Sequence, residues 1–144
     1  MKYRTARAIL YRDERYLLAV HSRFRFARQR RWGLPGGGIE WRETPLETVA
    51  RELHEELEVR ITDFIEVGDF QYKKAMHKVY AAHMVDDPGE VDDTELLDLR
   101  WFSEDDLRGL RDRNALHAGY ELTAVRLLKA KLTANQTVAN NARY

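Results

Sequence analysis

The stretch GGIEWRETPLETVARELHEELEV, from Gly37 to Val59, decides how this chain reads. Thr44 can cap a helix, Pro45 suits its first position, and Glu47, three residues after the cap, completes a capping box. The helix predicted from there runs to about Leu57, with Leu46, Val49, Ala50, Leu53 and Leu57 as its apolar stripe. Near its end Glu52, Glu55, Glu56 and Glu58 crowd together, although like charges on adjacent turns repel. Glu52, Glu55 and Glu56 stand at i, i+3 and i+4 and project from one face. Each should raise the others' affinity for protons. A divalent cation reverses that effect, because hard oxygen ligands at about 2.0–2.6 Å are what Mg2+ and Ca2+ demand. Alone, such a face is better read as a solvated helix surface. Gly36, Gly37 and Gly38, one short loop upstream, let backbone approach a ligand closely, and with the capped acidic helix they begin to specify a single site.

Before this stretch, TARAILY and RYLLAVHS read as two strands joined by the polar turn Arg12–Glu14. RFRFARQRR reads as an exposed basic loop, and RWGLPGGG as an apolar segment broken into a turn or loop. After it, ITDFIEVGDFQY, HKVYAAHMV and LLDLRWF read as strands, with DDPGEVDDTE as an acidic loop. Ser103 and Asp106 start a second helix at EDDLRGL by the same capping logic. GYELTAVRLLKAKL is a third, amphipathic helix. Residues 1–132 read as one domain and residues 133–144 as a loose polar tail. The order β-β-β-α-β-β-β-α-α predicts a mixed α/β fold with helices flanking one sheet.

Composition narrows the chemistry. With no Cys, disulfide and thiolate reactions are excluded. No apolar run approaches the roughly 18 residues of a membrane span, and no signal peptide is evident, so a soluble cytoplasmic protein is expected. Net charge is zero yet segregated. Residues 1–42 carry 11 basic against 3 acidic side chains, and residues 43–109 carry 7 against 19. A basic wall beside an acidic one suits a ligand that is anionic and binds cations, such as a phosphate ester with a divalent metal.

The spacing within the stretch resembles the signature of the Nudix hydrolases of the MutT-like kind, G-x5-E-x7-R-E-U-x-E-E-x-G-U with U bulky and apolar. Gly37, Glu43, Arg51, Glu52, Leu53, Glu55, Glu56, Leu57 and Val59 all match, and Glu58 stands where the family has glycine. WGLPGGG before it and LRWFSEDDL after it resemble family surroundings. The resemblance implies an α/β/α sandwich with a mixed sheet and Mg2+- or Mn2+-dependent hydrolysis of a nucleoside diphosphate linked to another moiety. It assigns metal ligation to Glu52, Glu55, Glu56 and the Gly36 carbonyl, and catalytic roles to Glu55, Glu56, Arg51 and Glu43, the last two as a pair orienting the helix. Glu55, Glu56 and Glu95 are all candidates for the general base. The departure at Glu58 predicts either a left-handed residue costing of order 1–2 kcal/mol or a helix that continues through Arg60.

Arg23, Arg25 and Arg31 are candidates to clamp substrate phosphates. With Phe24 and Phe26 among them, the same loop has a single-stranded nucleic-acid reading, although a nucleotide-type small molecule is the better-supported partner. A homodimer is compatible with this reading. Trp32 is expected to pack and His54 to be exposed. Phe70, Tyr72 and His77 sit near a strand end that packs or contacts a base. Asn114 lies roughly where some MutT-like proteins read a purine. Markers of ADP-ribose and coenzyme A hydrolases are not evident, which favours nucleoside triphosphates, oxidised guanine nucleotides among them. The competing expectation is a binding or regulatory domain that keeps the fold without turnover.

Overall fold

Period-two alternation in Thr5–Arg12 makes the central strand, β1. Ala6, Ala8 and Leu10 point to one face and Arg7 and Ile9 to the other. The computed structural model describes residues 2–91 and 93–141. After β1 come β2 (Arg15–His21), a 3-10 turn (Ser22–Phe24), β3 (Gly36–Gly38), α1 (Pro45–Leu57), β4 (Ile65–Tyr72) and β5 (Ala75–His83). Then follow β6 (Leu96–Phe102), α2 (Glu104–Asp112) and α3 (Glu121–Asn141). The strands form one mixed sheet, β4-β5-β1-β2-β6, with β3 added to β1. β1 runs parallel to β5 from Thr5↔His77 to Tyr11↔His83. Helix α1 covers one face through Val49, Leu53 and Leu57, and α2 and α3 cover the other through Leu107, Leu110, Leu122, Val125 and Leu128. The expected α/β/α sandwich is observed.

The glycine run corrects the reading of it as a turn or loop. β1 and β2 pair only near their hairpin, at Tyr11↔Tyr16 and Arg12↔Arg15. Beyond that they part, and residues 33–38 wedge between them. Ala19 exchanges backbone hydrogen bonds with Gly33, the Ala8 N–H donates to the Pro35 carbonyl, and Gly36–Gly38 pair antiparallel with Thr5–Arg7. Side chains would not fit at Gly36 or Gly37. Gly36 has φ of 137°, and a Cβ there would lie 2.3 Å from the Ala6 carbonyl oxygen.

Helix α1 has its predicted bounds, with both halves of the Thr44–Glu47 capping box formed. It ends at Glu58, which is left-handed at φ 53° and ψ 37°, so the continuation through Arg60 does not occur. The acidic loop compensates. Gly89 N–H donates to the Leu57 carbonyl at 2.9 Å, and Glu90 N–H donates to Glu58 Oε2 at 3.0 Å.

Helix α3 runs on to Asn141, so residues 133–141 are helical rather than a loose tail. Backbone hydrogen bonding carries the helix past the end of its apolar stripe. Residues 142–144 of that tail lie outside the described residues.

Candidate active site

The site forms where the side-chain-free strand β3 meets the acidic face of α1. Gly36 N–H donates to Glu56 Oε1 at 3.2 Å. Glu52 lies so close to Gly37 that a Cβ there would sit 2.5 Å from Glu52 Oε1. Both carboxylates and the glycines line a pocket of about 300 Å3 with His21, Arg23 and Glu95. Glu56 is 1% exposed. Its Oε2 lies 3.3 Å from His21 Nε2, yet among the described residues neither atom has a properly aligned hydrogen-bond partner.

Electrostatics follow from this burial. Desolvation, then the charge of Glu56, lifts the Glu52 carboxyl to about 7. Desolvation lifts Glu56 to about 7 as well, against the pull of Arg7. His21 is driven down to about 3 by burial and by Arg7 and Arg23, so it is neutral. A pocket whose carboxylates hold protons this tightly is short of positive charge.

Arg51 is the hub of the outer side. Its Nε and Nη2 grip Glu43 at 2.7 and 3.0 Å, and Nη1 reaches Glu52 Oε1 and Glu55 Oε2, both at 3.2 Å. Nη2 also donates to the Gly38 carbonyl at 3.3 Å, tying helix to strand. The bond from Arg51 holds the Glu43 carboxyl down to about 2.

Of the expected site residues, Gly36, Glu52, Glu56, Arg23 and Glu95 come together in the pocket. Glu55 does not: it is half exposed and turned to Arg51. Accordingly, among the described residues no three acidic or histidine side chains are gathered as a ready metal cluster. The donors still suit a divalent cation: hard carboxylate oxygens, a nearby carbonyl, and a buried Glu56 oxygen with no donor to satisfy it. Arg25 does not join the pocket, because the 3-10 turn folds its Nε back onto the Ser22 carbonyl at 3.2 Å. Arg31 lines a separate cavity of about 410 Å3 with Phe24, Tyr72 and His117.

The NUDIX domain matches this chain over residues 1–124. The chain belongs to the Nudix family. A Mycobacterium tuberculosis protein named "Putative 8-oxo-dGTP diphosphatase 3" is 35% identical over 113 residues, covering 71% of this chain and 49% of that protein. The chain thus spans about half the length of the curated relatives it matches. The crystal structure of a MutT NUDIX hydrolase from Burkholderia pseudomallei is 30% identical with a TM-score of 0.63, covering 74% of this chain and 87% of that one. A NUDIX hydrolase from Nitrosomonas europaea shares the fold at a TM-score of 0.74 and 20% identity, covering 90% of each chain.

Within this Nudix site, sequence reasoning missed Arg7 and His21. Both lie on strands it had assigned, and period-two alternation already put Arg7 on the face of Ile9. Trp32 packs on Phe102 and His54 is exposed, as expected. His77 is buried against Tyr120, with Nδ1 2.6 Å from the hydroxyl oxygen. Asn114 is the left-handed residue after α2, at φ 56°, with its side chain exposed. Among the described residues no helix is long and apolar enough to cross a membrane.

Proposed function

We propose that this chain hydrolyses a phosphoric anhydride in a nucleoside diphosphate linked to another moiety, with nucleoside triphosphates as the favoured class. The observation that carries this reading is the pairing of Glu52 and Glu56, both holding protons up to about pH 7, against a glycine strand that opens toward Arg23. Glu52, Glu56, the Gly36 carbonyl and, after turning from Arg51, Glu55 would hold Mg2+ or Mn2+. The cation supplies charge neutralisation and Lewis acidity to the diphosphate.

The chain's own groups do the rest. Arg51 and Glu43 fix the rotation of α1 against β3. Arg23 supplies a guanidinium to a phosphate oxygen. Glu55 of α1, once turned from Arg51, or Glu95, just before β6, would take the proton of attacking water; both are exposed, whereas Glu56 is buried. Neutral His21 backs Glu56 from behind. The name of the mycobacterial relative supports including oxidised guanine nucleotides among the substrates.

The test is phosphate and diphosphate release from a panel of nucleotides and conjugates with Mg2+ or Mn2+, beside Glu52→Gln, Glu55→Gln and Glu95→Gln. Metal-dependent turnover that collapses in Glu52→Gln is expected, and the base is whichever of the other two variants loses the acidic limb of the pH profile. Nucleotide binding without turnover across the panel would favour a regulatory domain instead.

A further inference from the structure

Of the side chains that α1 buries, two are polar, Glu56 and Thr48. The hydrolysis proposed above uses Glu56 and gives Thr48 no part. A threonine inside a helix ordinarily bonds the carbonyl one turn back. Thr48 keeps that contact, at 3.1 Å to the Thr44 carbonyl, but its hydroxyl lies closer to Glu43 Oε1, at 2.6 Å. A hydroxyl has one proton to give, and a bond to a carboxylate is the stronger of the two. Thr48 is 0% exposed, so water does not compete for that proton.

Glu43 is held from two sides. Its Oε1 accepts from the Glu40 N–H at 3.1 Å, from the Thr48 hydroxyl and from Arg51 Nη2 at 3.0 Å, and its Oε2 accepts from Arg51 Nε at 2.7 Å. Arg51 is 24% exposed, so Thr48 is the buried anchor and Arg51 the outer one. Thr48, Arg51 and Glu52 stand at i, i+3 and i+4, on one side of the helix. Arg51 then passes the restraint on, through Nη1 to Glu52 and Glu55 and through Nη2 to the Gly38 carbonyl. The Glu52 oxygen it holds, Oε1, is the one packed against Gly37.

We propose that Thr48 is a positioning residue for the metal-binding carboxylates. Its hydroxyl fixes Glu43 from the buried side, Glu43 fixes Arg51, and Arg51 holds Glu52 against the glycine strand. Valine has the shape of threonine without the hydroxyl, and serine has the hydroxyl without the methyl group, so the pair separates the bond from the packing. This deepens the proposed hydrolysis and rests on it for turnover, but not for metal binding.

The experiment is a titration of Mn2+ into wild type, Thr48→Val and Thr48→Ser, with free Mn2+ read from its electron paramagnetic resonance signal. Thr48→Val should bind about three- to tenfold more weakly, short of the roughly 10–100-fold lost with groups that touch a ligand directly. Thr48→Ser should restore wild-type binding. In carbon-13 nuclear magnetic resonance the Glu43 carboxyl should titrate higher in Thr48→Val than in the other two. Val49→Ala, which opens the core one residue on, is the control for lost stability and should leave Mn2+ affinity unchanged. If Thr48→Val does not fold, Thr48→Ala, which favours the helix, takes its place. Wild-type affinity in Thr48→Val, failure of Thr48→Ser to restore it, or equal weakening by Val49→Ala overturns the proposal. With turnover in hand, the activity lost in Thr48→Val should return at saturating Mn2+, and a loss that persists there also overturns it. Weakened Mn2+ binding in Thr48→Val, with no hydrolysis of any nucleotide by wild type, would sink the proposed function and leave the role of Thr48 standing.

Discussion

Arg51 Nε donates to Glu43 Oε2 at 2.7 Å, which fastens the loop before α1 to the middle of that helix. Glu43 also accepts from the Thr48 hydroxyl at 2.6 Å and the Glu40 N–H at 3.1 Å. A carboxylate held down to about 2 contributes stability above its unfolded pKa of about 4.3 and loses it as pH falls through 2. Wild type and Glu43→Gln should therefore differ most above pH 5 and converge toward pH 2. Urea unfolding across that range checks it, and a constant gap would refute it.

Glu52 and Glu56 have the opposite sign. Their carboxyls are raised to about 7, so the metal-free fold is favoured below about pH 4 and loses that contribution as pH rises through 7. Replacing Glu52 with Gln should flatten this loss and make the metal-free protein more stable than wild type at pH 8. Titrating Mg2+ at pH 7 should release protons, seen as a dependence of the binding heat on the buffer's ionisation enthalpy. Heat independent of buffer would contradict the raised carboxyls.

Gly37→Ala should strike the site without unfolding the protein. Its Cβ would collide with Glu52 Oε1, whereas a Cβ at Gly38 meets nothing nearer than 4.0 Å. Divalent-metal affinity should drop by about tenfold or more in Gly37→Ala, in the range seen when ligand-orienting contacts are lost. Gly38→Ala should stay near wild type in metal titrations.

Glu58→Gly should stabilise. The left-handed conformation costs a non-glycine residue about 1–2 kcal/mol, and the bond from Glu90 that would be lost contributes about 0.5–1.5 kcal/mol. A net gain of about 0.5 kcal/mol is expected by subtraction of these terms, as a small rise in thermal midpoint with metal affinity unchanged. A lower midpoint would mean that the contact with Glu90 outweighs the backbone strain.

Those residues also show what the sequence makes legible. Thr44, Pro45 and Glu47 placed the start of α1 because capping is a local interaction, and the Leu96–Phe102 strand was bounded by turn residues on both sides. The glycine run misled because a strand of glycines has no side-chain period to read. Its pairing with β1 is set by the parting of β1 and β2, which no local pattern records. Arg7 and His21 escape a local reading for a related reason: their environment comes from sheet register and from elements far along the chain, Glu121 of α3 for Arg7 and Glu56 of α1 for His21. Glu55 matched by spacing, but a helix face fixes only where a side chain starts, and Arg51 decided where it points.

The parallel pairing of β1 with β5 also sets an order of assembly. β1, β3 and α1 all precede β5 in the chain, so the carboxylate-and-glycine wall has its whole sequence before the partner strand is made. Lys73, His77 and the partner strand of β1 leave the ribosome later, at about 5–20 residues per second. Until then one edge of the central strand stands open beside a charge-dense helix, and unpaired edges invite wrong pairing. The nascent chain is most vulnerable in the interval between the emergence of α1 and that of β5, and that is where a holding chaperone would do most for its yield.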